Sequence, residues 1–240
     1  MATSEPLRRV QHVEESRFGR TVVREGELLR HSLHTRVVHW GVALFFVAAL
    51  FSGFALYTPF LYKLLAPLFG GGPSARLLHP WFGLSFVILL LFQLRGWRAQ
   101  MRWGDADRRW IGRVREYVTK TDGAEPPDVP KFNAGQKIWF WVMIGSGLVF
   151  LVTGVLMWYP EIFGRTPMWI SYFFHDLTGL IMLGGFVVHI YEGTAAMPGT
   201  FPSMTRGTVT EDWARTHHPA WFREVTGQGH VGVKSRSPRA

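Results

Sequence analysis

The sequence contains no cysteine. That absence removes disulfides, thiolate-held iron–sulfur clusters, thiolate haem ligation and covalent c-type haem attachment from the chemistry open to this chain. Any metal must rest on histidine, methionine or carboxylate. Charge is also thin: Asp, Glu, Lys and Arg make up 18% of the 240 residues. They are almost missing from four blocks, residues 37–57, 77–94, 138–158 and 170–190, where Asp176 is the one acidic or basic side chain. A bilayer core about 30 Å thick takes roughly 20 apolar residues as helix, so each block is long enough to cross it. This pattern excludes an ordinary soluble fold, and the polar arms and loops conceal it in any whole-chain average. The first 36 residues also lack an apolar stretch beside a small-residue cleavage site, so the first block is expected to stay as a span and not to be removed as a signal peptide.

The expected fold is therefore an all-α membrane protein, a four-transmembrane-helix bundle. The formal net charge of +9 would suggest nucleic acid in a soluble chain. Here 23 of the 26 Lys and Arg residues fall in residues 1–36, in 95–137 or after 196, leaving only Lys63, Arg76 and Arg165 elsewhere. Basic residues gathered in alternate loops are what membrane insertion itself selects. By that rule both termini and the middle loop are cytoplasmic, and no nucleic-acid partner is expected. The chain divides into a cytoplasmic N-terminal arm (1–36), a membrane domain (37–195, with the inner loop 95–137) and a cytoplasmic tail (196–240). The arm has little apolar content and is expected to order only against a partner or the membrane surface. In the inner loop, Trp110, Ile111, Val114, Tyr117 and Val118 recur at helical spacing over 108–119. They predict a helix lying in the interface or packed on the cytoplasmic ends of the bundle. Residues 122–130, with three prolines and a glycine, are expected to be irregular.

Of ten histidines, six (His12, His31, His34, His217, His218 and His230) fall in the arm or tail and are most simply solvated. The other four, His39, His79, His175 and His189, lie inside or at the ends of the apolar blocks, where an ionisable side chain marks a functional site by default. A single one could be a hydrogen bond between helices, but the four sort by depth. His39 and His189 belong to the inner side, His79 and His175 to the outer side. On the fourth span the 14 residues from His175 to His189 correspond to about 3.9 turns and about 21 Å, so both imidazoles look out from nearly one face. Two imidazoles per level suit the two axial positions of a haem iron, whereas zinc wants three or four ligands at one level. Gly83, Gly179 and Gly185 each stand four residues from a histidine and leave room for a flat ring on the same face, although small residues also serve close helix contact. The expectation is two stacked haem b sites, with iron ligated by His79/His175 and by His39/His189. The sequence offers no nucleophile with an adjacent base and no phosphate-cradling loop.

Several strings carry a resemblance: RVVHWGV around His39, RLLHPWFG around His79, KFNAGQK at 131–137, HDLTGLIMLGGFVVHIY at 175–191 and THHPAWFREV in the tail. In these the chain resembles the cytochrome b (gamma) subunit of membrane-bound respiratory formate dehydrogenase, from about residue 30 to 226. The resemblance implies the same histidine pairing that depth gives. It also implies a quinone, menaquinone or ubiquinone, bound beside the inner haem at Asn133, Gly135 and His189, with Gln136. Asn133 and Gln136 equally fit an N-cap and N3 pair opening the third span, and the two roles are compatible. The resemblance further implies a bacterial cytoplasmic membrane, an iron–sulfur (beta) subunit as electron donor and, through it, a molybdenum or tungsten pterin (alpha) subunit that oxidises formate, in a higher oligomer surrounded by lipid. Rival readings are the cytochrome b subunit of a nickel–iron hydrogenase, told apart by which catalytic subunit co-purifies; a free-standing di-haem oxidoreductase, active alone; and a haem-free anchor or transporter, which would give no b-haem spectrum. His217 and His218 match the family string without a physical role that the sequence supplies.

Overall fold

The computed structural model describes residues 10–16, 19–119, 126 and 128–227. The arm contributes strands β1 (Val10–Ser16), β2 (Gly19–Arg24) and β3 (Glu27–Leu29). The helices are α1 (Leu33–Tyr57), α2 (Pro59–Leu65), α3 (Gly72–Trp97), α4 (Asp105–Gly112), α5 (Val114–Thr119), α6 (Ala134–Trp158), α7 (Pro160–Phe163) and α8 (Arg165–Tyr191). After a π-helical extension at Glu192–Ala196, the tail adds α9 (Pro202–Thr205), strand β4 (Thr208–Thr210), α10 (Glu211–His217) and α11 (Pro219–Thr226).

Four helices, α1, α3, α6 and α8, are long and apolar enough to cross a membrane. Their ends follow local chemistry. Ser32 caps α1 by accepting from the Thr35 amide, Thr58 does the same for α2 through Leu61, and Pro160 opens α7 after α6 has ended. Each cap satisfies a backbone donor that the helix leaves free. Helix α1 packs along α3, α3 meets α6, and α6 packs along α8. Their shared core is Val42, Phe46, Phe86, Val87, Leu90 and Met182, with the Phe46 and Phe186 rings 5.1 Å apart closing α1 onto α8. Leu44, Leu91, Leu148, Val152, Leu180 and Val187 remain exposed on the outside, as lipid-facing residues do. Trp40 donates its indole N–H to the Met204 carbonyl and Trp141 to that of Met101, so both rings stand with a polar edge at the bundle end.

The arm and tail depart from the all-helical expectation. Strands β1 and β2 pair antiparallel, and β3 pairs antiparallel with β4 of the tail, Leu28 opposite Val209. Backbone groups outside a helix need partners, and these two ribbons supply them within the chain. The expected loop helix over 108–119 is divided at Arg113 into α4 and α5. Trp110 is buried against Val129 and Ala134, while Ile111 and Val114 stay exposed. Packing on the bundle end is thus the reading that holds for Trp110. Most of the stretch expected to be irregular, and His230, lie outside the described residues.

Two arm and tail histidines are not solvated. His31 is buried and stacks on Trp97 at 5.6 Å. His218 is 1% exposed, and together with Arg30 it forms a clasp that ties arm, loop and tail. The Arg30 guanidinium donates to the Lys131 carbonyl at 2.7 Å and to His218 Nε2 at 3.1 Å. It lies 4.8 Å from the Trp213 ring centre, 5.1 Å from that of Trp221 and 5.8 Å from that of Phe132. A cation over three rings keeps part of the stabilisation lost with its water, and burial pulls the Arg30 pKa down to about 9. A guanidinium only donates, so His218 Nε2 accepts and Nδ1–H donates to the Pro130 carbonyl at 2.7 Å. A second buried contact pins α4 under α6: Lys137 Nζ meets Asp107 Oδ2 at 2.8 Å, the two side chains 5% and 1% exposed.

Two outcomes follow from these contacts. Lys137→Ala leaves the Asp107 carboxylate buried without its cation, a loss of about 3–5 kcal/mol; thermal unfolding in detergent should shift clearly downward, and an unchanged midpoint contradicts the pair's role. Burial first, and Arg30 second, hold the His218 pKa well below its usual range, with the Pro130 carbonyl opposing. Below about pH 6.5 an undocked tail therefore takes up a proton that the docked tail refuses, so docking weakens as pH falls. Limited proteolysis should cut the tail progressively faster from about pH 7 to about pH 5, with a flatter profile in His218→Gln; equal protection throughout contradicts the clasp.

Candidate functional site

The four span histidines come together as two pairs. The rings of His39 on α1 and His189 on α8 have centres 6.1 Å apart with planes at 52°. Those of His79 on α3 and His175 on α8 also stand 6.1 Å apart, at 65°. Two imidazoles that bind one metal from opposite sides, at the usual metal–nitrogen length of about 2 Å, hold their ring centres about 6 Å apart. Both pairs match that spacing. Among the described residues no three His, Asp or Glu side chains gather on one point, so the pairs stand as pairs. His39, His79 and His175 are half-buried and His189 is exposed, which leaves the rings accessible to a large flat group lying beside them. The residues fit an iron porphyrin with two axial imidazoles.

The pairs differ in what holds them. His79 Nδ1 lies 2.9 Å from Ser52 Oγ and His175 Nδ1 lies 2.7 Å from Thr153 Oγ1. Both hydroxyls sit in apolar spans, and only their bonds back to helix carbonyls distinguish them from packing residues, so nothing in the sequence singled them out. A Cβ at Gly53 would stand 3.1 Å from His79 Cε1, so the small residue lets the imidazole settle on α1 beside Ser52. His39 Nδ1, by contrast, is buried with no hydrogen-bond partner among the described residues. His189 is covered on one side by Trp139, stacked at 5.7 Å and 23°. The sequence carries only a faint signal for Trp139, an aromatic three positions past Gln136 at the mouth of α6.

The expected space one turn from the histidines is present at two glycines and filled at the third. A Cβ at Gly83 or Gly179 would meet no atom of the described residues within 4 Å. One at Gly185 would collide with the Trp139 ring. That missing side chain admits the indole, which is why Trp139 can reach His189.

Asn133, Gly135 and Gln136 sit where α6 begins. Asn133 Oδ1 accepts from the Gln136 amide at 3.0 Å and Gln136 Oε1 accepts from the Asn133 amide at 3.1 Å, the reciprocal cap of a capping box. A Cβ on Gly135 would press on the buried Trp110 ring at 3.2 Å. These residues bond to one another and to the loop, and Trp139, one turn further along α6, is the side chain that links this end of the helix with His189.

Residues 30–207 match the family model described as prokaryotic cytochrome b561. Among curated proteins the chain is similar to the cytochrome b556 subunit of the nitrate-inducible formate dehydrogenase of Escherichia coli strain K12, 32% identical over 201 residues, covering 82% of this chain and 91% of the relative. It is also similar to a second formate dehydrogenase cytochrome b556 subunit of that strain, 31% identical over 206 residues, covering 84% and 95%. A third is the formate dehydrogenase cytochrome b556 subunit of Haemophilus influenzae strain Rd, 31% identical over 201 residues, covering 82% and 83%.

Proposed function

The chain belongs to the prokaryotic cytochrome b561 family, and from that premise we propose that it is the di-haem cytochrome b subunit of a bacterial formate dehydrogenase complex, carrying electrons across the cytoplasmic membrane to a quinone. The observation that carries the proposal is the equal 6.1 Å spacing of two imidazole pairs held by different helices, with α8 giving one ring to each. One haem b would be held by His79 and His175 and the other by His39 and His189; each supplies a one-electron redox centre when bound.

The chain's own residues do the rest of the work. Helix α8 fixes the separation of the sites, since its two histidines are 14 residues apart, about 21 Å along the axis. The apolar spans keep water from the path between them. The clustering of Lys and Arg in the arm, the 95–137 loop and the tail supports cytoplasmic termini, which puts His79 and His175 toward the outer face. Electrons would enter there from an iron–sulfur subunit, itself served by a molybdenum or tungsten pterin subunit where formate is oxidised. Near the cytoplasmic end, Trp139 covers one face of His189 and the Asn133–Gly135–Gln136 turn opens the same helix. This is the place for menaquinone or ubiquinone, within reach of cytoplasmic protons. Each electron moving inward across the full thickness exchanges about 2.3 kcal/mol with the membrane potential per 100 mV.

Haem quantification tests the proposal. The purified wild-type complex should hold two b-type haems per copy of this chain, and His79→Ala and His189→Ala should each hold one, in step with loss of formate-dependent quinone reduction. Full haem content in both variants would refute the ligand assignment, and a wild-type chain without a b-haem spectrum would favour a haem-free anchor.

A further inference from the structure

The hydroxyls behind the outer pair determine more than position. Ser52 Oγ donates its one proton to the Ala48 carbonyl at 2.7 Å, with Ala49 at 3.1 Å sharing it. Thr153 Oγ1 donates in the same way to the Val149 carbonyl at 2.6 Å. Neither hydroxyl has a second hydrogen, so toward the imidazoles each can only accept. His79 and His175 must therefore carry their protons on Nδ1, and the Nε2 lone pairs are left free. The two bonds form short chains, helix carbonyl to hydroxyl to imidazole, buried where Ser52 is 0% and Thr153 6% exposed. A low-dielectric setting strengthens such chains. An acceptor drawing on Nδ1–H makes the opposite nitrogen a more basic ligand. A more basic axial ligand stabilises the ferric over the ferrous state, so it lowers the reduction potential. Among the described residues His39 Nδ1 has no such acceptor.

We propose that Ser52 and Thr153 are positioning residues that lock the outer ligands in the Nδ1–H tautomer and lower the potential of the outer haem below that of the inner one, so that the electron step toward the cytoplasmic side runs downhill. The proposal rests on the di-haem reading above. It uses the four imidazoles, these two hydroxyls and the helix carbonyls that take the hydroxyl protons.

Redox titration of the purified complex, followed optically at the b-haem bands, reads the effect directly. Wild-type protein should titrate as two components. Ser52→Ala and Thr153→Val should each raise the lower component and leave the upper one in place, by roughly a tenfold change in the ferric-to-ferrous ratio at fixed potential, about 59 mV for one electron. Ser52→Thr and Thr153→Ser, which keep the hydroxyl, should restore the wild-type value. Two haems titrating unchanged in the hydroxyl-free variants would overturn the proposal, as would equal movement of both components. Should those variants lose haem, His189→Ala decides: its single remaining haem must titrate with the lower wild-type component, and agreement with the upper component overturns the proposal. Absence of haem from the wild-type chain would instead remove the di-haem reading on which the proposal stands.

Discussion

An imidazole placed in a hydrocarbon environment needs a partner, and the whole arrangement depends on how four of them find one. A single polar side chain can be satisfied by a neighbouring helix, but here each histidine faces another histidine from a different helix at the same 6.1 Å. Bare imidazoles gain little from each other at that distance; a metal between them gains two ligands. Helix α8 takes part in both pairs, so its unbroken run over Arg165–Tyr191 sets where both sites lie. Replacing one of the four histidines by an apolar residue would leave the opposite ring without its facing imidazole in an apolar site, which is why the pair is the unit to consider.

The two sites are not equivalent. At one end the hydroxyls of Ser52 and Thr153 stand between helix carbonyls and the imidazoles of His79 and His175. At the other end packing by Trp139 covers His189, and the neighbouring residues are given over to closing the bundle. The Asn133–Gln136 capping box starts α6, Gly135 admits Trp110, and Lys137 reaches back to Asp107. A single string, KFNAGQK, thus opens a long apolar helix, anchors the 95–137 loop and stands one turn from the residue that stacks on His189. Arg30 and His218 extend this closure to the tail through a cage of aromatic rings, which gives His218 a role that its place in a polar tail did not suggest.

Much of this was legible in the sequence because the bilayer imposes strong rules. Block length predicted the four long helices, and depth with helical periodicity predicted that His39 would meet His189 and His79 would meet His175. The rest was hidden for identifiable reasons. Ser52 and Thr153 look like ordinary small residues in apolar helices until the fold sets a histidine opposite them. Residues far apart in the chain, such as Leu28 and Val209 in the β3–β4 ribbon or Arg30 and His218 in the clasp, carry no periodic signal, and their burial depends on the arm and tail folding onto each other. Gly185 read as space for a flat ring, yet a neighbouring indole fills it, because a missing side chain does not say which neighbour will use the gap.

The most direct measurement is an experimental structure of the purified complex in lipid that locates iron. Two iron atoms about 20 Å apart along α8, one between His79 and His175 and the other between His39 and His189, each with Nε2 of both rings at about 2 Å, is the predicted result. Iron held by any other side chain, a single iron, or the rings of His175 and His189 turned toward lipid would contradict the paired-imidazole arrangement and with it the route for electrons.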